Sequence, residues 1–519
     1  MTNARSWNHW LNLFASCVLV GLLAGCSLPS LEGRTVSQAL SPAEASSTAL
    51  GRALVPQVRT YPGKSGIYSL ADAHDAFAAR VLLARSAEKT IDIQCYIWRP
   101  DVTGTLLLEE LRAAADRGVR VRLLLDDNGI AGMDDALAAL DTHPGIEVRL
   151  FNPFVVRKPK VIGYLTDFER ANRRMHNKSF TADNQGTIIG GRNVGDEYFG
   201  AASVLFADLD VLAVGAVVDD VSTDFDLYWA SESSYPADRI LPKADASALS
   251  KLAETGELVA ASQAAEEYTL AVKRTQFLSG LLEGDLSFEW ADTTMVSDDP
   301  AKGLGEAAKD SMLISQLREM LGKPDRSVDL VSPYFVPAAA GVEVFGGMVQ
   351  DGIRVRVLTN SLDATDVAAV HAGYAKRRKD LLEAGVALYE MRRVSSGGGR
   401  NSSSGPFGSS GSSLHAKTFG VDGKRVFVGS FNFDPRSTRF NTELGFIIES
   451  PAMAQDIEAS FENEIPKDSY VLGLTEEGEV YWTEQKDGTL LRHDSEPETG
   501  WFTRTFVWVL SKLPIEWLL

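Results

Sequence analysis

One phrase occurs twice in this chain. Residues 176–183 read HNKSFTAD and residues 415–422 read HAKTFGVD. Each is His-x-Lys and then, after four intervening residues, Asp. A second matched phrase follows each: Gly190-Gly191-Arg192-Asn193 and Gly429-Ser430-Phe431-Asn432. His176, Lys178, Asp183, Gly190 and Asn193 all stand 239 residues before His415, Lys417, Asp422, Gly429 and Asn432. With this composition, chance yields one His-x-Lys-x4-Asp roughly 0.02 times per chain. Two in register, each with its Gly-x-x-Asn, mark an internal duplication. Whatever the chain folds into is built twice.

The repeat reaches beyond the motifs. TIDIQCYIW (90–98) matches SVDLVSPYF (327–335), and GVRVRLL (118–124) matches GIRVRVL (352–358). GIEVRLF (145–151) matches GVALYEM (385–391), with helical spacing between the strand-like runs. Strand–helix–strand alternation implies parallel pairing and an α/β sandwich in each half. Both His-x-Lys pairs fall on alternating, β-type sequence. In a strand, His176 and Lys178 share a face because the side-chain period is two, as do His415 and Lys417. One imidazole and one ammonium from each half can then reach a single phosphoryl group.

That residue set suits a phosphodiester. A neutral imidazole can attack phosphorus and form a phosphohistidine, splitting one hard step into two. A second, protonated imidazole can give its proton to the leaving alkoxide and then take one from the acceptor. Lys178, Lys417, Asn193 and Asn432 can hold the equatorial oxygens of the transition state. No cofactor is expected. No metal is expected either, since the chain has no HExxH, no CxxC and no carboxylate cluster with ligand spacing.

NRRMHNKSFTADNQGTIIGGRNVGDEYF (172–199), FADLDVLAVG (206–215) and LHAKTFGVDGKRVFVGSFNFDPRSTRFNTELGFIIESP (414–451) resemble the phospholipase D superfamily. The likeness is closest to its bacterial cardiolipin-synthase-like lipoproteins and runs from about residue 65 to the end of the chain. It implies two pseudo-twofold related halves with one active site at their interface, complete within one chain. It implies phosphatidyl transfer between phospholipids, with two alternatives: hydrolysis to phosphatidic acid, or phosphodiester cleavage of the nuclease kind. By the same resemblance His176 is the nucleophile and His415 the acid and base. Glu443 supports the second motif's histidine, Asp208 the first's, and Ser430 contacts phosphate. Asp183 and Asp422 are read as turn-closing residues. The first half departs from the usual Gly-Ser-x-Asn, having Gly191-Arg192 where the second has Ser430-Phe431.

Composition narrows the partners. A net charge of −19 argues against a protein that coats nucleic acid, and no nucleic acid partner is expected. Phospholipids and a membrane surface are. Arg5, the apolar run 10–24 and Leu23-Ala24-Gly25-Cys26 resemble a bacterial lipoprotein signal, with lipid placed on Cys26. Ser27 after it fits an outer-membrane destination facing the periplasm. The expected domains are a signal over 1–25, a flexible tether over 26–60, and a first repeat over 61–245. A connecting segment over 246–300, a second repeat over 301–465 and a C-terminal β unit with an apolar tail over 466–519 complete them. The Gly/Ser run 395–413 reads as a surface loop or a flap at the cleft. Arg157, Lys158 and Lys160 read as a basic patch at the mouth or a solvated loop. The tail WFTRTFVWVLSKLPIEWLL reads either as an interfacial helix or as a closing core helix.

Overall fold

The computed structural model describes residues 27–202, 205–275, 277, 287–393, 413–486 and 488–519. Cys26 and most of the Gly/Ser run therefore lie outside the described residues. Ten strands come from the first part of the chain: β1 (Ser65–Leu70), β2 (Thr90–Ile97), β3 (Arg120–Gly129), β4 (Ile146–Phe151), β5 (Ser179–Ala182), β6 (Gly186–Gly190), β7 (Phe206–Ala207), β8 (Asp210–Gly215), β9 (Ser234–Pro236) and β10 (Glu289–Ala291). The second part supplies β11 (Thr293–Ser297), β12 (Ser327–Val331), β13 (Arg354–Asn360), β14 (Ala387–Met391), β15 (Ser413–Leu414), β16 (Thr418–Val421), β17 (Arg425–Gly429), β18 (Leu444–Ile448), β19 (Ser469–Leu474), β20 (Val480–Lys486) and β21 (Thr489–His493).

Nineteen of them form two open sheets, in the orders β10-β1-β8-β6-β5-β2-β3-β4-β9 and β11-β18-β17-β16-β12-β13-β14-β19-β20-β21, and β7 pairs with β15 in a separate two-stranded sheet. β2, β3 and β4 run parallel, as do β12, β13 and β14, which is what the strand–helix–strand sequence dictates. The motif strands instead make antiparallel hairpins, β5–β6 and β16–β17, so each sheet is mixed. Both hairpins turn on backbone with positive φ, at Asp183 and Asn184 (50° and 51°) and at Asp422 and Gly423 (57° and 63°). Asp, Asn and Gly tolerate that conformation best. The carboxylate of Asp183 then accepts the backbone N–H groups of Glu88, Lys89 and Thr90, and that of Asp422 those of Asp325, Arg326 and Ser327. Each motif aspartate thus pins its hairpin to the start of the neighbouring central strand.

The halves share a core. Ile189, Val211 and Ala213 of the first sheet pack in one cluster with Val331, Val426 and Leu444 of the second. The connecting segment is more than a linker. Its helices Ala248–Ala260 and Gln263–Val272 lie on the first half, while β10 extends the first sheet and β11 the second. The expected flexible tether is also largely docked. Arg34 donates to Ser231 O, Arg149 donates to Thr35 O, Arg122 donates to Ser37 O, and Asp226 accepts the Ala39 N–H. Helices Pro42–Ser46 and Ala49–Val58 follow. Sequence composition missed this because three of these four anchoring groups, Arg149, Arg122 and Asp226, belong to the body on which the tether lies. The C-terminal β unit does not stand alone: β19 pairs with β14 and carries β20 and β21 onto the second sheet.

Candidate active site

The two His-x-Lys pairs meet where the halves touch. Neither lies inside its strand, as the alternating sequence suggested. β5 begins at Ser179 and β16 at Thr418, so each pair sits in the extended lead-in. The lead-in is held across the interface. His176 N donates to Thr442 O at 2.9 Å and Thr442 N to Arg174 O at 2.9 Å. In the matching place β15 runs parallel to β7, and His415 N donates to Ala207 O at 2.7 Å. Thr442 precedes Glu443 and Ala207 precedes Asp208. The backbone pairing therefore delivers each acid to the histidine of the opposite half.

The side chains follow. His176 Nδ1 lies 2.8 Å from Glu443 Oε2 and 3.1 Å from Ser430 O. His415 Nδ1 lies 2.5 Å from Asp208 Oδ2. The expected pairing, Glu443 with His415 and Asp208 with His176, is reversed. Sequence order placed each acid downstream of its own motif, whereas the interface strands carry it across. At His176 both partners of Nδ1 are acceptors, and at His415 the Asp208 carboxylate at 2.5 Å lies closer to Nδ1 than Lys417 Nζ at 3.1 Å, so the acids favour the hydrogen on Nδ1 in both rings. The lone pair then falls on Nε2, the atom a nucleophile or base must present.

The lysines lie alongside. Lys178 Nζ donates to His176 O at 2.6 Å and Lys417 Nζ to His415 O at 2.5 Å. Lys417 Nζ also sits 3.4 Å from His415 Nε2. Burial and the Lys417 charge bring Lys178 down to about 7, and burial pulls Lys417 below its usual value as well. Burial, with both lysines and His415 adding to it, takes His176 well below its usual value. His415 is lowered less simply: burial and Lys417 depress it, while Asp208 opposes them. Asp208, against the effect of its own burial, is held well below the ordinary carboxylate range by His415, Lys417 and Arg192. Glu443 is pushed up by burial, against Lys178 and the hydroxyls of Ser430 and Ser437.

Ser430 has a different job from the expected phosphate contact. Its hydroxyl donates to Glu443 Oε2 at 2.5 Å and accepts the Leu444 N–H at 3.0 Å. Ser437, which sequence reading missed, donates to Glu443 Oε1 at 2.7 Å. Asp298 accepts the Glu443 N–H and is itself paired with Lys302. Asn193 spans Ile97 N and the Tyr198 hydroxyl, leaving one amide hydrogen free of these contacts, while Asn432 Oδ1 has no hydrogen-bond partner among the described residues. Arg192, standing where the other half has Phe431, donates to Leu70 O, Ala71 O and Asp208 O and so secures the loop under the acid. Aromatic rings wall both imidazoles: Tyr96 beside His176 at 4.9 Å, Tyr198 and Phe206 beside His415 at 5.2 and 5.3 Å. The basic patch is largely neutralised, Arg157 by Asp127 and Asp134 and Lys160 by Asp127. This geometry equips one imidazole to attack phosphorus while the other handles protons.

Comparison with known proteins agrees with this picture. A family model described as "Cardiolipin synthase, PLD-like domain" matches twice, over residues 82–229 and 317–465. Cardiolipin synthase C of Escherichia coli (strain K12) is 47% identical over 474 residues, covering 91% of this chain and 99% of that protein. An uncharacterized protein of Helicobacter pylori (strain ATCC 700392 / 26695) is 31% identical over 88% of this chain and 90% of its own length. Among solved structures, the phosphatidylserine synthase of Haemophilus influenzae Rd KW20 shares the fold. Its TM-score is 0.53 at 14% identity, over 80% of this chain and 91% of that one.

Proposed function

Because the chain belongs to the phospholipase D-like family of the cardiolipin synthases, we propose that it transfers a phosphatidyl group from one glycerophospholipid to the headgroup alcohol of another, making cardiolipin. The observation that carries the mechanism is the pair of crossed His–acid contacts, Glu443 to His176 and Asp208 to His415.

His176 Nε2 attacks the donor's phosphorus. The P–O bond to the headgroup alcohol breaks as the N–P bond forms, and His415 gives the leaving alkoxide its proton. The phosphatidyl group is then held as a phosphohistidine. A headgroup hydroxyl of the second phospholipid loses its proton to His415 and attacks phosphorus, and His176 leaves. Lys178, Lys417 and the amides of Asn193 and Asn432 face the charge that builds on the equatorial oxygens. A bound phosphodiester restores the ammonium form of Lys178, whose proton the empty site holds weakly. The enzyme works at the bacterial envelope. Cys26, in its lipoprotein-like signal, anchors it to the outer membrane facing the periplasm.

The test is a product analysis. Purified protein given defined phospholipids should yield cardiolipin when a second phospholipid offers a headgroup hydroxyl. Phosphatidic acid as the sole product, with and without that acceptor, would overturn transfer in favour of hydrolysis.

A further inference from the structure

The C-terminal helix Trp501–Lys512 is inside out for a helix in water. Its buried contact is narrow: Val507 is 4% exposed and packs with Leu510 against Leu362 and Ala372. The opposite face carries Trp501, Phe502, Phe506, Trp508 and Val509, exposed by 60, 71, 57, 61 and 47%. A face bound for solvent would be polar there. At about 1.5 Å per residue the helix is roughly 18 Å long, too short for a hydrocarbon layer of about 30 Å. Among the described residues no helix is long and apolar enough to cross a membrane.

A second apolar surface lies beside it. Val161, Ile162, Leu165 and Phe168 are 61, 40, 82 and 45% exposed, on short helices that lead into His176. One guanidinium ties the two surfaces together: Arg436 donates to Asn172 O, to Asn172 Oδ1 and to Leu518 O. Arg173 lies over Phe440, whose ring is 6.4 Å from that of Trp517. Phe168 lies on the short helix that leads into the segment of His176, and Phe440 lies between Asn432 and Glu443, so both surfaces border segments that carry site residues.

Charge identifies the occupant. In a chain with 70 acidic and 51 basic residues, the helix carries Arg504 and Lys512 and no acid. At the turn itself Arg157, Lys160, Arg170 and Arg174 are paired with Asp127, Asp134, Asp167 and Asp126, so it is the helix that supplies the positive charge. Glu516, just past the helix, is bound by Lys376 and Arg377. Trp and Phe with flanking cations are what an interfacial helix needs on anionic lipid.

We infer that the aromatic face of Trp501–Lys512 and the apolar turn at 161–168 form one surface on which the enzyme lies against an anionic phospholipid bilayer, with the two histidines facing the lipid headgroups. This rests on the reading of the protein as a phospholipid transferase. The experiment uses the chain from Ser27 on, lacking both the apolar run 10–24 and Cys26 so that neither anchors it, and measures flotation with vesicles. The parent should float with phosphatidylglycerol-containing vesicles and far less with phosphatidylcholine vesicles. Phe506→Ser with Trp508→Ser should weaken binding at least about tenfold, and Val161→Ser with Leu165→Ser should do so independently. Leu258→Ser, at a residue 75% exposed on helix Ala248–Ala260, should change nothing. All variants should turn over a short-chain soluble diester like the parent. Unchanged flotation of both double variants overturns the inference, as does a parent that ignores vesicles but forms a dimer that Phe506→Ser and Trp508→Ser dissolve. Equal flotation of the parent on both vesicle types overturns the anionic assignment. Failure of the parent on the soluble diester strikes the transferase reading instead.

Discussion

The two halves support their acids differently, and the difference sorts the histidines into roles. In the second half Ser430 and Ser437 both donate hydroxyls to Glu443, which thus spreads its charge over two hydroxyls as well as His176. In the first half the place of Ser430 is Gly191. A Cβ there would stand 2.0 Å from Asp208 Oδ1, so the shorter acid occupies the space a serine would need. Among the described residues Asp208 receives no hydroxyl, only the Leu209 N–H on Oδ1 and His415 on Oδ2. Its charge is aimed at one imidazole. His415 is therefore the ring better able to hold a proton, and His176, below its usual value and beside a shared carboxylate, is the one kept neutral. In the proposed mechanism the duplicated site serves as a nucleophile on one side and a proton carrier on the other.

The largest expected effect tests that division directly. His176→Ala should cut turnover about ten-thousandfold. A rapidly quenched reaction should carry an acid-labile phosphoryl group on His176, and a label on His415 would reverse the roles. Next come the acids. Asp208→Asn should cost about a thousandfold on natural lipid, with most of the loss recovered on a p-nitrophenyl diester, whose leaving group needs no proton. Glu443→Gln should not be rescued that way, and equal rescue of both would erase the distinction. Gly191→Ser, which forces a side chain onto Asp208, should cost about a hundredfold, while Ser430→Ala should cost about tenfold. The reverse ranking would show that the hydroxyls, not the close approach, set the site.

Smaller effects sharpen the picture. With Lys178 at about 7 in the empty site, kcat/KM should fall as pH rises through about 7, because binding needs the ammonium. Under saturating substrate that limb should move to higher pH. Lowered in the fold, Lys178 binds fewer protons than it does in the unfolded chain between about 7 and its model value of 10.5, so stability rises with pH across that window. Lys178→Met should abolish turnover yet raise Tm by about 2 °C or more below pH 7, with the gain fading towards pH 10.5. A destabilised variant would mean that the buried ammonium is fully compensated.

The sequence made the chemistry legible because chemistry repeats: His176, Lys178, Asn193 and their partners 239 residues on are the types a phosphodiester requires in either order. The parallel cores were readable for the same reason, from matched strand–helix–strand runs. What stayed hidden was relational. No local pattern tells Glu443 to serve His176, since that depends on Thr442 pairing with Arg174 and His176 across the interface. Ser437, Asp298 and Lys302 are ordinary surface types by sequence, and only burial shows them gripping Glu443. The strap at 34–40 reads as linker because its residues, Arg34 to Leu40, show no helical or strand periodicity of their own.

The exchange of acids has a bearing on when the enzyme becomes dangerous. A catalyst that breaks phosphodiesters in lipids must be kept from the bilayer it is made beside. Here neither histidine finds its carboxylate in its own half. A chain halted after the first repeat has His176 without Glu443, and one missing the first repeat has His415 without Asp208. Competence should thus need both halves docked, and a copy lacking either repeat should stay inert. Two fragments split in the connecting segment should each be silent and regain turnover only on mixing, which makes the interface itself the safety catch.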